Sequence, residues 1–162
     1  LEEAKAFVAL CREKGALSII NDRADIALAS GADGVHVGQE DLAAAQARQL
    51  LGPDKIVGVS AHNVEEALAA QAAGADYLGV GAAFVTGTKT DAKPISRDTI
   101  RAVTAAVEIP AVAIGGITRE NVKELAGSGI CGVAVISAIY AADHIENAAR
   151  DLKDATREML CQ

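Results

Sequence analysis

Two short acidic clusters, Asn21-Asp22 and Gln39-Glu40-Asp41, each follow an apolar run. If those runs are neighbouring strands, their carboxylates come to the same end of the pair. Hard cations such as Mg2+ take oxygen ligands, commonly one or two carboxylates with substrate phosphates supplying the rest. The plainer reading of Asp22 or Asp41 taken alone is a helix N-cap or a solvated turn, where Asp and Asn are favoured anyway.

Anion chemistry is suggested further along. Lys89 lies in VTGTKTDAKP, within a connection from Phe84 to Arg97 that is long for a strand-to-helix loop, where about 2 to 6 residues is usual. Thr86, Thr88, a glycine and a lysine offer hydroxyls, flexible backbone donors and a point charge, which suits a phosphate or pyrophosphate. AIGGITRENV and VISAIY close two later apolar runs. Gly115-Gly116 lets the backbone approach an anion closely, and Ser137 adds a hydroxyl beside Ile136. A surface lysine and a sterically required glycine pair are the competing explanations.

The other reactive side chains are weaker candidates. His36 stands between Val35 and Val37 and reads as an interior residue rather than a catalyst. His62 follows Ser60 by two residues without a carboxylate to complete a nucleophile triad, so both read as pocket lining. His144 reads as surface and Cys131 as buried packing.

The elements that must position these residues come from periodicity. Leu17 to Asn21, Gly34 to Gly38, Lys55 to Ser60, Tyr77 to Phe84, Ala111 to Ile114 and Gly132 to Ser137 are short, continuous apolar runs, the pattern of parallel strands covered on both faces. Helical spacing runs through Leu42 to Leu51, Val64 to Ala73, Thr99 to Val107 and Glu120 to Ala126. GADGVHVG at Gly31 recurs as GADYLGVG at Gly74 and more loosely as GICGVAVIS at Gly129. Each copy ends a helix at a glycine and opens a buried strand.

Composition narrows the function classes. The 162 residues are 51% hydrophobic and 23% charged, ordinary for one folded domain. A net charge of -7 argues against a nucleic-acid or anionic-membrane footprint, and the absence of Trp removes an obvious stacking platform. No apolar run is long enough to span a membrane and no secretory signal is visible. Three widely spaced cysteines suggest neither a disulfide framework nor a zinc site, so a reducing cytoplasm is expected. The partners expected are small molecules, with room for a homo-oligomer.

Polar residues follow nearly every strand, which favours a (β/α)8 TIM barrel over an open doubly wound sheet, because a barrel brings all such loops to one mouth. A barrel needs eight strands, whereas six are readable, and the chain opens inside the amphipathic helix LEEAKAFVALCREKG. The expectation is a single barrel domain over residues 1–162 that lacks its first two strands.

Taken together, INDR (Ile20 to Arg23), GVHVGQEDL (Gly34 to Leu42), GVSAH (Gly58 to His62), GVGAAFVTGTKTDA (Gly79 to Ala92), VAIGGIT (Val112 to Thr118) and GVAVISAI (Gly132 to Ile139) resemble the thiamine phosphate synthase family, in order and over nearly the whole chain. The resemblance implies a (β/α)8 barrel that joins an aminopyrimidine diphosphate to a thiazole phosphate, releasing pyrophosphate with Mg2+ present. By motif, Asp22 and Asp41 would bind Mg2+, and Asn21 and Lys89 would hold the leaving pyrophosphate. Ser60 would lie beside the pyrimidine, and Thr86, Thr88, Gly116, Ile136 and Ser137 would hold the thiazole phosphate. Lys89 and Ser60 would be the catalytic pair. Such a reaction needs no protein nucleophile, only stabilisation of leaving charge and alignment of the thiazole nitrogen.

Two departures from the family pattern stand out. Ala82 and Val85 occupy positions where the family usually has Pro, and the family's Gln-x-Arg-x-Lys motif is absent. These 162 residues alone are therefore expected to be poorly active. The rival readings are a thiazole tautomerase, an isomerase that as a rule lacks the Asp pair, and a non-catalytic phosphate-binding barrel.

Overall fold

The computed structural model describes residues 1–87 and 93–161. Its elements run α1 (Glu2–Lys14), β1 (Ile19–Asn21), α2 (Ala24–Ser30), β2 (Gly34–Val37), α3 (Ala44–Leu51), β3 (Ile56–Ala61), α4 (Val64–Ala72), β4 (Tyr77–Gly81), α5 (Arg97–Ala106), β5 (Ala111–Ile114), a 3-10 turn (Val122–Leu125), β6 (Gly132–Ala134), α6 (Ser137–Tyr140) and α7 (Ile145–Leu160). Hydrogen-bonded neighbours follow chain order from β1 to β6. This is a parallel α/β fold, in keeping with the continuous apolar runs. No helix among the described residues is long and apolar enough to cross a membrane.

The chain divides into two compact units, Leu1–Ser60 with Ala69–Leu78, and Ala61–Leu68 with Gly79–Gln162. In the first, β1 pairs with β2 and β2 with β3, both in parallel, setting Asn21 opposite His36 and His36 opposite Gly58. Val35, Val57 and Leu78 are fully buried there, with Ala27 and Ala47 of the flanking helices packed just as tightly. Alanine on the buried stripe of α2 and α3 lets helix backbone approach the strands closely.

In the second unit β5 and β6 pair in parallel, with Ile114 opposite Ala134. Ile100 and Val103 on α5, Val122 and Leu125 on the 3-10 turn, and Leu152 and Met159 on α7 supply its core. The side chains buried on α7 lie at spacings of three, four and seven residues, the stripe a helix presents to one neighbour.

Three local expectations are corrected. Glu120 to Ala126 forms only a 3-10 turn, because its buried Val122 and Leu125 are three apart and eclipse at that tighter pitch. The strand expected to reach Phe84 ends at Gly81, although Ala83 and Phe84 still donate to the carbonyls of Ile114 and Gly115. Ser137 opens α6 rather than ending a strand, since the Ile136 carbonyl already accepts from the Ile139 and Tyr140 amides.

Candidate active site

In the first unit the candidate residues sit at or just beyond the C-terminal ends of β1, β2 and β3. Asn21 ends β1, and Asp22 after it takes a left-handed conformation, φ 64°, which a short polar side chain tolerates better than most. The Asp22 amide donates to the His36 carbonyl at 2.7 Å, and the Asn21 side-chain amide donates to Asp22 Oδ1 at 2.8 Å. Asp41 folds back in the turn after β2, where its Oδ2 accepts from the Gly38 amide at 2.7 Å. Asp22 and Asp41 thus follow adjacent parallel strands. Among the described residues no three or more His, Cys, Asp or Glu side chains form a group that could hold a metal ion.

Ser60 is tied twice to β2 and the turn beyond it. Its Oγ lies 3.0 Å from His36 Nε2, and its carbonyl accepts from Gln39 Nε2 at 2.6 Å. The other ring nitrogen of His36 lies 2.9 Å from the Tyr77 hydroxyl, with the two rings tilted and their centroids 5.4 Å apart. Burial pushes the Tyr77 phenol above its ordinary pKa, so it keeps its proton through the neutral range. Tyr77 is not legible as a site residue from the sequence, which reads His36 as interior. The signal it does carry is polarity: with Asn21, the side chains of His36, Ser60 and Tyr77 are the polar ones in otherwise apolar strands.

In the second unit Gly115 and Gly116 follow β5 with φ 101° and 62°. A side chain could not replace either hydrogen: a Cβ on Gly115 would lie 2.7 Å from Ala82 Cα, and one on Gly116 2.3 Å from the Val85 carbonyl oxygen. The start of the long loop, with Thr86 half-buried next to Val85, therefore leans on the glycine turn. Asn121 braces that turn, donating to the Gly116 carbonyl at 2.9 Å and accepting from the Thr118 amide at 2.8 Å. Ile136 and Ser137 are exposed beyond β6, at the same end of the neighbouring strand. Thr88 and Lys89 lie outside the described residues.

Three minor expectations meet a different outcome or a plain one. His62 is exposed rather than pocket lining, because Glu66 claims it: Oε2 accepts from the His62 amide at 2.9 Å and sits 2.8 Å from Nδ1. Partial burial would raise the Glu66 carboxyl, but the His62 ring and amide hold it below its ordinary range. Cys131 is exposed rather than buried, its thiol donating to the Ala111 carbonyl at 3.3 Å. His144 is on the surface, just before α7.

Comparison with known proteins places the chain in a family. The family model for thiamine monophosphate synthase matches residues 1–139. The chain is 55% identical over 150 residues to the thiamine-phosphate synthase of Chlorobium luteolum, covering 92% of this chain and 71% of the relative. It is 52% identical over 155 residues to that of Moorella thermoacetica, covering 95% and 74%. Among solved structures, a thiamine phosphate pyrophosphorylase from Pyrococcus furiosus superposes with a TM-score of 0.90 at 42% identity, covering 98% of this chain and 76% of that one. A KGPDC structure from Streptococcus mutans reaches a TM-score of 0.78 at 13% identity and shares the fold alone. With more than half of its residues matched by the family model and relatives above half identity over most of its length, the chain belongs to the thiamine monophosphate synthase family.

Proposed function

We propose that this chain is a thiamine-phosphate synthase, a transferase acting on small molecules. It joins hydroxymethylpyrimidine diphosphate to thiazole phosphate and releases pyrophosphate. The observation that carries the reading is the 55% identity to a thiamine-phosphate synthase across 92% of the chain, which includes every strand end bearing a candidate residue. The fold type is then a (β/α)8 barrel and the compartment the cytoplasm. Free thiols at Cys11, Cys131 and Cys161 fit that compartment.

In this reaction the bond from the pyrimidine methylene carbon to the diphosphate oxygen breaks, the oxygen keeping the electron pair. The thiazole nitrogen forms the new bond to that carbon. The aminopyrimidine ring spreads the positive charge of the carbon between the two events, so a protein nucleophile is unnecessary. Ser60 fits a non-nucleophilic part: among the described residues, the ring nitrogen of His36 that faces away from Ser60 meets the Tyr77 phenol, whereas a Ser-His triad uses a carboxylate there.

Asp22 and Asp41 would hold Mg2+. Two carboxylates after adjacent parallel strands are the usual protein share of a Mg2+ shell, the phosphates supplying more oxygens. When bound, the ion supplies positive charge to the departing pyrophosphate. Asn21 and Lys89 would hold the same leaving group, Lys89 as a point charge. Ser60 would meet the pyrimidine. Thr86, Thr88, Gly116, Ile136 and Ser137 would hold the thiazole phosphate, with Gly116 letting the backbone come close.

Incubation with both substrates and Mg2+, followed by chromatography for thiamine phosphate, tests the assignment. Lys89→Ala should reduce turnover by ~3 to 4 kcal/mol of barrier, the typical loss for one donor to developing charge. Thiazole phosphate bound without product formation would favour a non-catalytic binder instead.

A further inference from the structure

The chain of contacts Tyr77 to His36 to Ser60 has a direction. A neutral imidazole carries one N–H, so either Nε2 donates to Ser60 and Tyr77 donates to Nδ1, or both bonds run the other way. In the reverse arrangement the Tyr77 proton would need another acceptor. Among the described residues His36 Nδ1 is the hydrogen-bond partner of that phenol. Among the described residues each arrangement leaves one hydroxyl proton over, that of Tyr77 in the reverse and that of Ser60 in the forward one. Tyr77 opens β4, away from the strand ends where a ligand would meet it, so its proton is the costlier one to leave unpaired. The forward arrangement pairs it: Tyr77 donates to Nδ1, Nε2 donates to Ser60 Oγ, and the proton left over lies near the C-terminal end of β3.

That direction has a consequence for Ser60. With its oxygen already accepting from His36, the hydroxyl proton is the part of the group left to meet a ligand, and the Gln39 bond to the Ser60 carbonyl holds the backbone beneath it. We propose that Tyr77 is a positioning residue that fixes the His36 tautomer, so that Ser60 meets the pyrimidine as a hydrogen-bond donor and selects a ring nitrogen at that place. The inference rests on the synthase reading for the identity of the ring, while the tautomer itself does not. Gly58 belongs to the same device. It stands opposite His36 in the ladder, and a Cβ there would lie 2.2 Å from Tyr77 Cζ. The missing side chain gives the phenol its seat.

Nitrogen-15 NMR of the three histidines, with and without Tyr77→Phe, tests the device directly. The wild-type His36 should carry its proton on Nε2, and Tyr77→Phe should move population to Nδ1. Tyr77→Phe should raise KM for the pyrimidine diphosphate about 3- to 10-fold, the size of one neutral hydrogen bond, with KM for thiazole phosphate and kcat unchanged. A substrate analogue with C–H in place of the ring nitrogen should bind wild type and Tyr77→Phe equally. A wild-type proton on Nδ1, or a Tyr77→Phe variant with unaltered tautomer and KM, would overturn the proposal. The wild-type spectrum decides the first point even if the variant does not fold. Absence of product from wild type would sink the synthase reading, whereas calorimetric titration of the pyrimidine diphosphate into wild type and Tyr77→Phe would still decide the role of Tyr77.

Discussion

The ring of Tyr77, at the start of β4, occupies the space that a side chain on Gly58 of β3 would fill, so one glycine sets where the phenol meets His36. Gly58→Ala should push the ring away, at a cost of ~1 to 3 kcal/mol typical of overpacking. Thermal unfolding should show that loss, and the NMR spectrum should show the same tautomer shift as Tyr77→Phe. Destabilisation without a change at His36 would mean that the ring keeps its hydrogen bond and the backbone yields instead.

Asp33 should protect the fold against acid. Its Oδ2 accepts from both the amide and the hydroxyl of buried Ser18 at 2.7 Å, and these bonds hold the carboxyl below its ordinary pKa. A depressed carboxyl adds stability that is complete above the unfolded value, about 3.9, and disappears as pH falls through the lower folded value. Asp33→Ala should therefore cost ~1 to 3 kcal/mol at neutral pH by leaving the Ser18 donors unpaired. In chemical denaturation the wild-type advantage should shrink as pH falls below about 4. An advantage that persists undiminished in strong acid would count against the ion as its source.

The Asp33 geometry also shows what the sequence made legible and what it did not. The repeated GAD was visible as a helix-to-strand junction, and the structure gives it a further purpose. Asp76 accepts from the Val57 amide at 2.7 Å just as Asp33 accepts from Ser18, each clamping the start of the preceding strand. Arg48 adds a second donor to Asp76 at 2.5 Å. The looser third copy has Cys131 there. Its amide keeps the backbone bond to Ala111 and its thiol donates to that same carbonyl, so no side-chain clamp forms there, and the residue stands exposed. Parallel strands were readable because burial on both faces writes continuous apolar runs. The partnership of His36, Ser60 and Tyr77 was not, because it depends on strand register across residues far apart in sequence.

The metal assignment predicts that Asp41→Asn raises the Mg2+ concentration needed for half-maximal rate by about tenfold or more, or ~1.4 kcal/mol. Asp22→Asn should act in the same direction. Titrating Mg2+ against initial rate checks both, and an Asp41→Asn variant with unchanged rate and Mg2+ dependence would remove Asp41 from the site.

Gly116→Ala separates the two substrates. The left-handed backbone and the Val85 carbonyl 2.3 Å from the added Cβ make this change costly, ~1 to 3 kcal/mol, and displace the loop start that leans on the turn. Affinity for thiazole phosphate should fall more than affinity for the pyrimidine diphosphate, as read by separate calorimetric titrations. Equal losses would mean that the glycine serves folding alone.

Formation of thiamine phosphate is the most direct test of the synthase assignment. The assay combines hydroxymethylpyrimidine diphosphate and thiazole phosphate with this chain, with and without Mg2+, beside the Chlorobium luteolum relative as a positive control. Thiamine phosphate and pyrophosphate should form in equal amounts and only with Mg2+. No product from this chain, under conditions where it binds thiazole phosphate and the relative turns over, would contradict the assignment.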